Sequence, residues 1–334
     1  MKKTYYLFNP GRMSRHDNTL CFTPVDEEGR EGPARHIPVE GVDNFYCFGS
    51  LDANSALYNF LGKHQVAVHF FDYYEHYTGS FMPKDYLLAG KMQVEQTRHY
   101  LSAAKRMALA RKLVEGAAFN MTKNLRYYQS RAKEVTAFLT RMEGYAPLIG
   151  PCTRVDELMG IEGNLRQAYY DAFGVIINDF EMGGRSRQPP RNEVNTLISF
   201  GNMLCYTVCL DQIYHTQLNP TISFLHEPGA RRYSLALDLA EIFKPLLVDR
   251  TIFSMLNRKQ IQASDFRQEM NRCTLKEGAR KAFVQAFDER LKETFKHRSL
   301  GRSVSYKHLI KLECYKLQKH LLGIEEYRPF KMLW

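Results

Sequence analysis

The chain has 334 residues, 44% of them hydrophobic, and its 46 Lys and Arg against 36 Asp and Glu give a formal net charge of +10. This length buries a sizeable core and suggests two domains, and the positive balance favours a polyanionic partner. No run approaches a membrane span, no apolar signal core precedes Pro10, and the seven cysteines are scattered without a C-x-x-C pair, which argues against membrane insertion, export, a disulfide framework or a zinc ribbon and points to the cytoplasm.

Residues 1–82 read as a small β-rich domain. Strands are expected at 4–8, 19–23, 44–48 and 66–71, separated by Gly, Pro, Asn and Asp. One short helix is expected over 54–61, with Asn54 as its N-cap. Residues 83–334 read as a larger all-α domain, so the fold class is α+β. Helices are expected at 87–119, 124–141 and 153–173, each with apolar positions at helical spacing. The stretch 183–191 is a basic Gly- and Pro-containing loop, read as mobile and left without a role. Asn192 then caps a helix to about 217, and further helices are expected at 234–248, 265–296 and 307–322. The aromatic tail 327–334 reads equally as a docking segment or a disordered end.

Positive charge is concentrated in two stretches. Residues 98–134 carry nine Lys and Arg and two acids, and residues 281–320 carry ten and four. With 20 Tyr and 21 Phe in the chain, a basic, aromatic surface suits nucleic acid. Ordinary solvated helix faces would carry the same composition.

Three polar residues stand where apolar ones are expected. Val155, Leu158, Leu165 and Tyr169 mark one helix face, and Glu162 falls at the same phase. A carboxylate buried there needs compensation, either a divalent ion or one of the many arginines. Asp238 and Glu241 are three apart and project from neighbouring turns of another helix. His226 precedes that helix in Leu225-His226-Glu227-Pro228-Gly229. One imidazole with two or three carboxylates suits a hard or borderline ion such as magnesium or manganese. Such an ion supports phosphodiester cleavage or transfer. Arg231 and Arg232 lie between His226 and the carboxylate helix and suit phosphates. Tyr169 suits either stacking on a base or the core. Walker A, G-x-G-x-x-G and H-E-x-x-H motifs are absent, which removes support for nucleotide hydrolysis and zincin proteolysis.

These motifs resemble those of the CRISPR-associated adaptation integrase, the larger, metal-dependent member of the two universal Cas proteins. The resemblance is carried by Tyr5–Arg15 with Asp17–Leu20, by Gly160-Ile161-Glu162-Gly163, and by Asn195, Leu197 and Gly201 of 192–206. It continues through Leu225-His226, the Ser234–Pro245 stretch with Asp238, Glu241 and Lys244, and Tyr327-x-Pro329-Phe330-Lys331-Met332. It implies a homodimer formed mainly through the N-terminal β domain. It implies that Glu162, His226 and Glu241 bind magnesium or manganese, with Asp238 close by. It also implies a complex with a small ferredoxin-like partner subunit that joins the 3′-hydroxyls of short DNA fragments to the CRISPR repeat, and cleavage or rejoining of branched DNA by the isolated protein. Two other readings stay open: a metal-dependent structure-specific DNA nuclease with no integration role, and a non-catalytic DNA-binding assembly protein.

Overall fold

The computed structural model describes residues 2–26, 28–84, 89–229, 233–296 and 300–332. Contacts divide the chain into two compact units, Met1–Tyr86 and Leu87–Trp334.

The first unit holds β1 (Lys3–Leu7), β2 (Gly11–His16), β3 (Thr19–Pro24), β4 (Arg35–Pro38), β5 (Val42–Cys47), β6 (Leu51–Asp52), α1 (Ser55–Lys63), β7 (Ala67–Phe71) and β8 (Tyr77–Phe81). They form two four-stranded sheets, ordered β1-β5-β7-β8 and β4-β3-β2-β6. β5 pairs in parallel with β1 and β7. Its residues Phe45, Tyr46 and Cys47 are all buried, as expected of a central parallel strand covered on both faces. Phe45, Cys47 and Val68 from one sheet join Met13, Leu20 and Phe22 from the other, and Leu57, Phe60 and Leu61 of α1, in one apolar cluster. Asn54 caps α1, its side chain accepting from Leu57 N at 3.0 Å. β2, β4, β6 and β8 lie outside the expected strands. β2 (GRMSRH) and β4 (RHIP) are short and polar, and they follow from pairing with β3 more than from their own composition.

Among its described residues, the second unit is helical apart from two antiparallel strand pairs. It runs α2 (Gly90–Leu101), α3 (Ala103–Gln129), α4 (Thr136–Tyr145), α5 (Val155–Asp171), α6 (Phe173–Ile176), α7 (Glu193–Tyr214), α8 (Ser234–Lys244) and α9 (Arg250–Asn257), then β9 (Phe266–Glu269), β10 (Arg272–Leu275), α10 (Glu277–Lys292), β11 (Thr294–Lys296), β12 (Ser303–Ser305) and α11 (Tyr306–Leu321). The helix expected at 87–119 is broken at Ser102, whose ψ of 106° is extended. Periodicity does not register a one-residue break, although Ser suits a helix start. α3 then runs through Asn124, expected to begin the next helix. Asn124 is buried, and its amide donates to Tyr169 Oη at 3.0 Å and to Pro245 O at 2.5 Å. The residue expected to open a helix is therefore a tertiary contact inside one. The expected helix 265–296 begins instead as a hairpin, with Met270 at φ 45° in its turn. Cys273 and Leu275 are buried while Arg272 and Thr274 are half-buried, a period of two that a helical reading passes over. After α8, Pro245–Asp249 forms a wider π-type turn before α9. No helix among the described residues is long and apolar enough to cross a membrane.

α3 and α7 pack directly on α8, and α5 packs on α3. Gly201 lets α7 approach the π-type turn closely, since a Cβ there would lie 2.4 Å from Val248 Cγ1. The tail docks in cis. Tyr327 is fully buried, its hydroxyl donating to Glu313 Oε1 at 2.6 Å. Asn120 accepts from Met332 N at 2.9 Å and donates to Ile242 O at 3.0 Å, which ties the tail to α8.

Candidate metal and DNA site

α5 and α8 each bring an acid to one buried spot. Asp156 and Glu157 occupy the first turn of α5, where negative charge complements the helix dipole. One turn further on, Glu162 is 9% exposed and Arg166 8%. Arg166 lies four residues after Glu162, on the same face. Its Nε donates to Glu162 Oε1 at 2.6 Å, and its Nη2 donates to Glu241 Oε2 on α8. Lys244 Nζ lies 2.7 Å from Glu241 Oε1. Burial works to raise the Glu241 carboxyl, but Arg166, Lys244 and His226 outweigh it and hold it well below the usual range.

Asp238, one turn before Glu241 and fully buried, organises the loop that carries His226. Its Oδ2 accepts from Phe224 N at 2.7 Å and Leu225 N at 3.0 Å. Its Oδ1 accepts from His226 N at 2.9 Å and lies 2.9 Å from His226 Nδ1. A carboxylate there draws the imidazole proton to Nδ1 and leaves Nε2 as the lone-pair nitrogen. Burial works to lower the imidazole pKa, but the Asp238 contact and the nearby Glu241 charge leave it raised. Arg106 braces the same loop, donating to Phe224 O at 3.0 Å and pairing with Glu227 at 2.6 Å.

Behind these groups sits Asp249, closing the π-type turn. Its carboxyl interacts electrostatically with Tyr169, and its Oδ1 has no hydrogen-bond partner. Burial pushes its carboxyl up to about 7, against the opposing effects of Tyr169, Arg166 and Lys244. An acid whose folded pKa lies above its unfolded value destabilises the fold once it must ionise. The penalty grows from near pH 4 and is complete above pH 7. Asp249→Asn, which keeps the shape of the side chain and removes its titration, should match the wild type near pH 4. At pH 8 it should be more stable by on the order of 4 kcal/mol. Urea melts at the two pH values measure this, and a difference that does not change with pH would contradict it.

The structure thus brings Glu162 and Glu241 onto one guanidinium and holds His226, through Asp238, within electrostatic reach of Glu241. Two carboxylates and an imidazole with its Nδ1 pinned are a donor set suited to a hard or borderline divalent ion. Among the described residues, no three His, Cys, Asp or Glu side chains converge as a closed ligand set. Glu162 and Glu241 face Arg166 instead. The chemistry fits an ion while the carboxylates are closed on an arginine.

Of the two readings of Tyr169, the core one holds. It is fully buried, its ring packed edge-on against Phe173 at 5.3 Å, so it neither stacks on a base nor reaches DNA. Arg231 and Arg232 lie outside the described residues. Much of the charge in the two basic stretches is engaged internally: Arg98 with Glu95, Arg126 with Glu143, Lys292 with Asp288 and Lys319 with Glu325. The loop read as mobile is pinned to α7. Asn195 donates to Gly184 O at 2.8 Å and accepts from Ser186 N and Arg185 Nη1, each at 3.0 Å. Sequence reasoning gave no role to Arg166, Lys244, Asp249 or Arg106. The first two had a signal: each lies one turn after an acid on the same helix face.

A family model described as CRISPR associated protein Cas1 matches residues 5–289. The CRISPR-associated endonuclease Cas1 of Fusobacterium nucleatum is 44% identical over 337 residues, spanning 100% of this chain and 98% of that protein. The solved structure of a Cas1 protein from Thermotoga maritima superposes with a TM-score of 0.86 at 37% identity, covering 98% of this chain and 99% of that one. A casposase bound to its integration product shares the fold, with a TM-score of 0.84 at 21% identity over 99% of this chain and 93% of that one.

Proposed function

The chain belongs to the Cas1 family of CRISPR-associated proteins, and from that premise we propose that it is a divalent-metal-dependent DNA endonuclease and integrase of CRISPR adaptation, acting in the cytoplasm. Its reaction joins the 3′-hydroxyl ends of short DNA fragments to the CRISPR repeat. One observation supports this above the rest: two buried acids from separate helices meet on one guanidinium, and an imidazole whose Nδ1 is fixed by a third acid interacts with one of them. Phosphate binding alone has no need of three acids in a basic protein.

Glu162, Glu241 and His226 Nε2 are the groups that would hold the ion, magnesium or manganese. Such an ion, when bound, neutralises charge on a non-bridging phosphate oxygen and lowers the pKa of the attacking hydroxyl. The protein's own groups do the rest. Asp238 fixes the imidazole's tautomer and direction. Arg106 and Asp238 together hold the backbone of the His226 loop. Lys244 keeps one oxygen of Glu241 oriented. In the joining step the donor 3′-oxygen bonds to phosphorus, the repeat-strand P–O bond breaks, the hydroxyl proton leaves, and the departing oxygen gains one. The proposed partners are DNA, a second copy contacting through the N-terminal unit, and the small ferredoxin-like subunit.

The same cluster would equally activate water, so the nucleophile decides between integrase and simple nuclease. With the small partner subunit, manganese and a repeat-containing plasmid, donors ending in 3′-hydroxyls should become covalently joined. Donors ending in 3′-deoxy or 3′-phosphate should not. Equal joining of blocked donors, or hydrolysed ends alone, would replace this reading with that of a nuclease.

A further inference from the structure

Arg166 is placed unusually for an arginine beside candidate ligands. Its guanidinium is buried, and it bridges two acids from two helices: Nε and Nη2 meet Glu162 on its own helix, and Nη2 meets Glu241 on α8. Among the described residues, Lys244 pairs with Glu241 and not with Glu162. Glu162 has no other charged partner among the described residues. Two carboxylates brought together out of water repel each other, and a single fork of donors suits both. A buried ion pair of this kind adds little stability over apolar packing of the same volume. Its value lies in what it holds in place.

We propose that Arg166 is a built-in counter-ion: it keeps Glu162 and Glu241 paired and facing inward while no ion is bound, and yields them to a divalent cation that takes over its charge. This rests on the metal-site reading and deepens it. Arg166 is thereby a positioning residue that competes with the ion. A guanidinium does not lose its proton in a protein, so it gives way only by moving its side chain. The exchange therefore replaces one cation by another at two fixed acids and leaves neither buried alone.

The test uses the full chain, stripped with chelator, as wild type, Glu162→Gln, Arg166→Met and the double variant. Melting temperature is read in EDTA and in manganese, and the manganese Kd by titration calorimetry. Arg166→Met should lower the metal-free Tm by roughly 5–10 °C, because it strands two buried acids. Adding Glu162→Gln to it should restore part of that loss, as charges are removed together. Manganese should raise the Tm of Arg166→Met by more than that of the wild type, with a Kd tighter by roughly tenfold. A role in packing alone would move the metal-free Tm but not these metal-dependent differences. Equal or weaker manganese binding by Arg166→Met would overturn the proposal. If that variant does not fold, Arg166→Lys carries the test. It keeps the charge but loses the fork, and should show the same tightening to a smaller degree; unchanged or weaker binding would overturn the proposal equally. Glu162→Gln that binds manganese as the wild type does would mean the metal-site reading itself is wrong, whatever Arg166 does.

Discussion

Glu162→Gln, His226→Asn and Glu241→Gln should each lower strand cleavage and joining by about 10³-fold or more, with DNA affinity unchanged. The size follows from the role: a lost ligand removes the charge stabilisation of the phosphoryl transition state, worth several kcal/mol. Amide replacements are the informative ones. Glu241→Ala would leave the buried Arg166 and the half-buried Lys244 without their shared acid, and the cost of that stranded charge would blur the reading. Gel assays of donor joining measure the rate, and filter binding measures DNA affinity. Joining at the wild-type rate by Glu241→Gln would remove Glu241 from the reaction.

Asp238→Ala should be the most damaging of the site substitutions for stability, by about 4 kcal/mol or more. Asp238 accepts from three backbone N–H groups and the imidazole, all within 3.0 Å, and it has no exposure to water. Its removal orphans each donor in a buried loop, and every such group costs about 1–3 kcal/mol. Asp238→Asn separates folding from chemistry. It retains one acceptor oxygen, so its stability loss is smaller. It also no longer draws the imidazole proton to Nδ1, and activity should fall by roughly 10–100-fold. Urea denaturation distinguishes the two variants; wild-type stability for Asp238→Ala would contradict the anchoring role.

Local signals carried much of what the sequence made legible. Asn54 and Asn192 mark helix starts because a short polar side chain satisfies a free N–H, and both do so here. Glu162 was conspicuous because its phase places it inward, and it is buried. The same pattern left open whether an ion or an arginine compensates it. The structure pairs it with Arg166, four residues along the same helix, a contact that spacing alone makes available. What stayed hidden depends on distant partners. Asn124 reads as a helix start until Pro245 and Tyr169 supply its bonds. Asp249 has no distinguishing neighbours in sequence, and its raised pKa arises from burial behind the site. The β9–β10 hairpin is set by pairing across its turn, which helical periodicity does not report. Tyr169 shares the face of Glu162, and that face turns into the core, so of its two readings, base stacking or core, the second holds.

A crystal of the full chain soaked in manganese tests the metal site most directly. Anomalous scattering should show manganese bound by Glu162, Glu241 and His226 Nε2, with Asp238 still on His226 Nδ1 and Arg166 no longer bridging the two acids. Manganese elsewhere, with Glu162 and Glu241 still closed on Arg166, would contradict it.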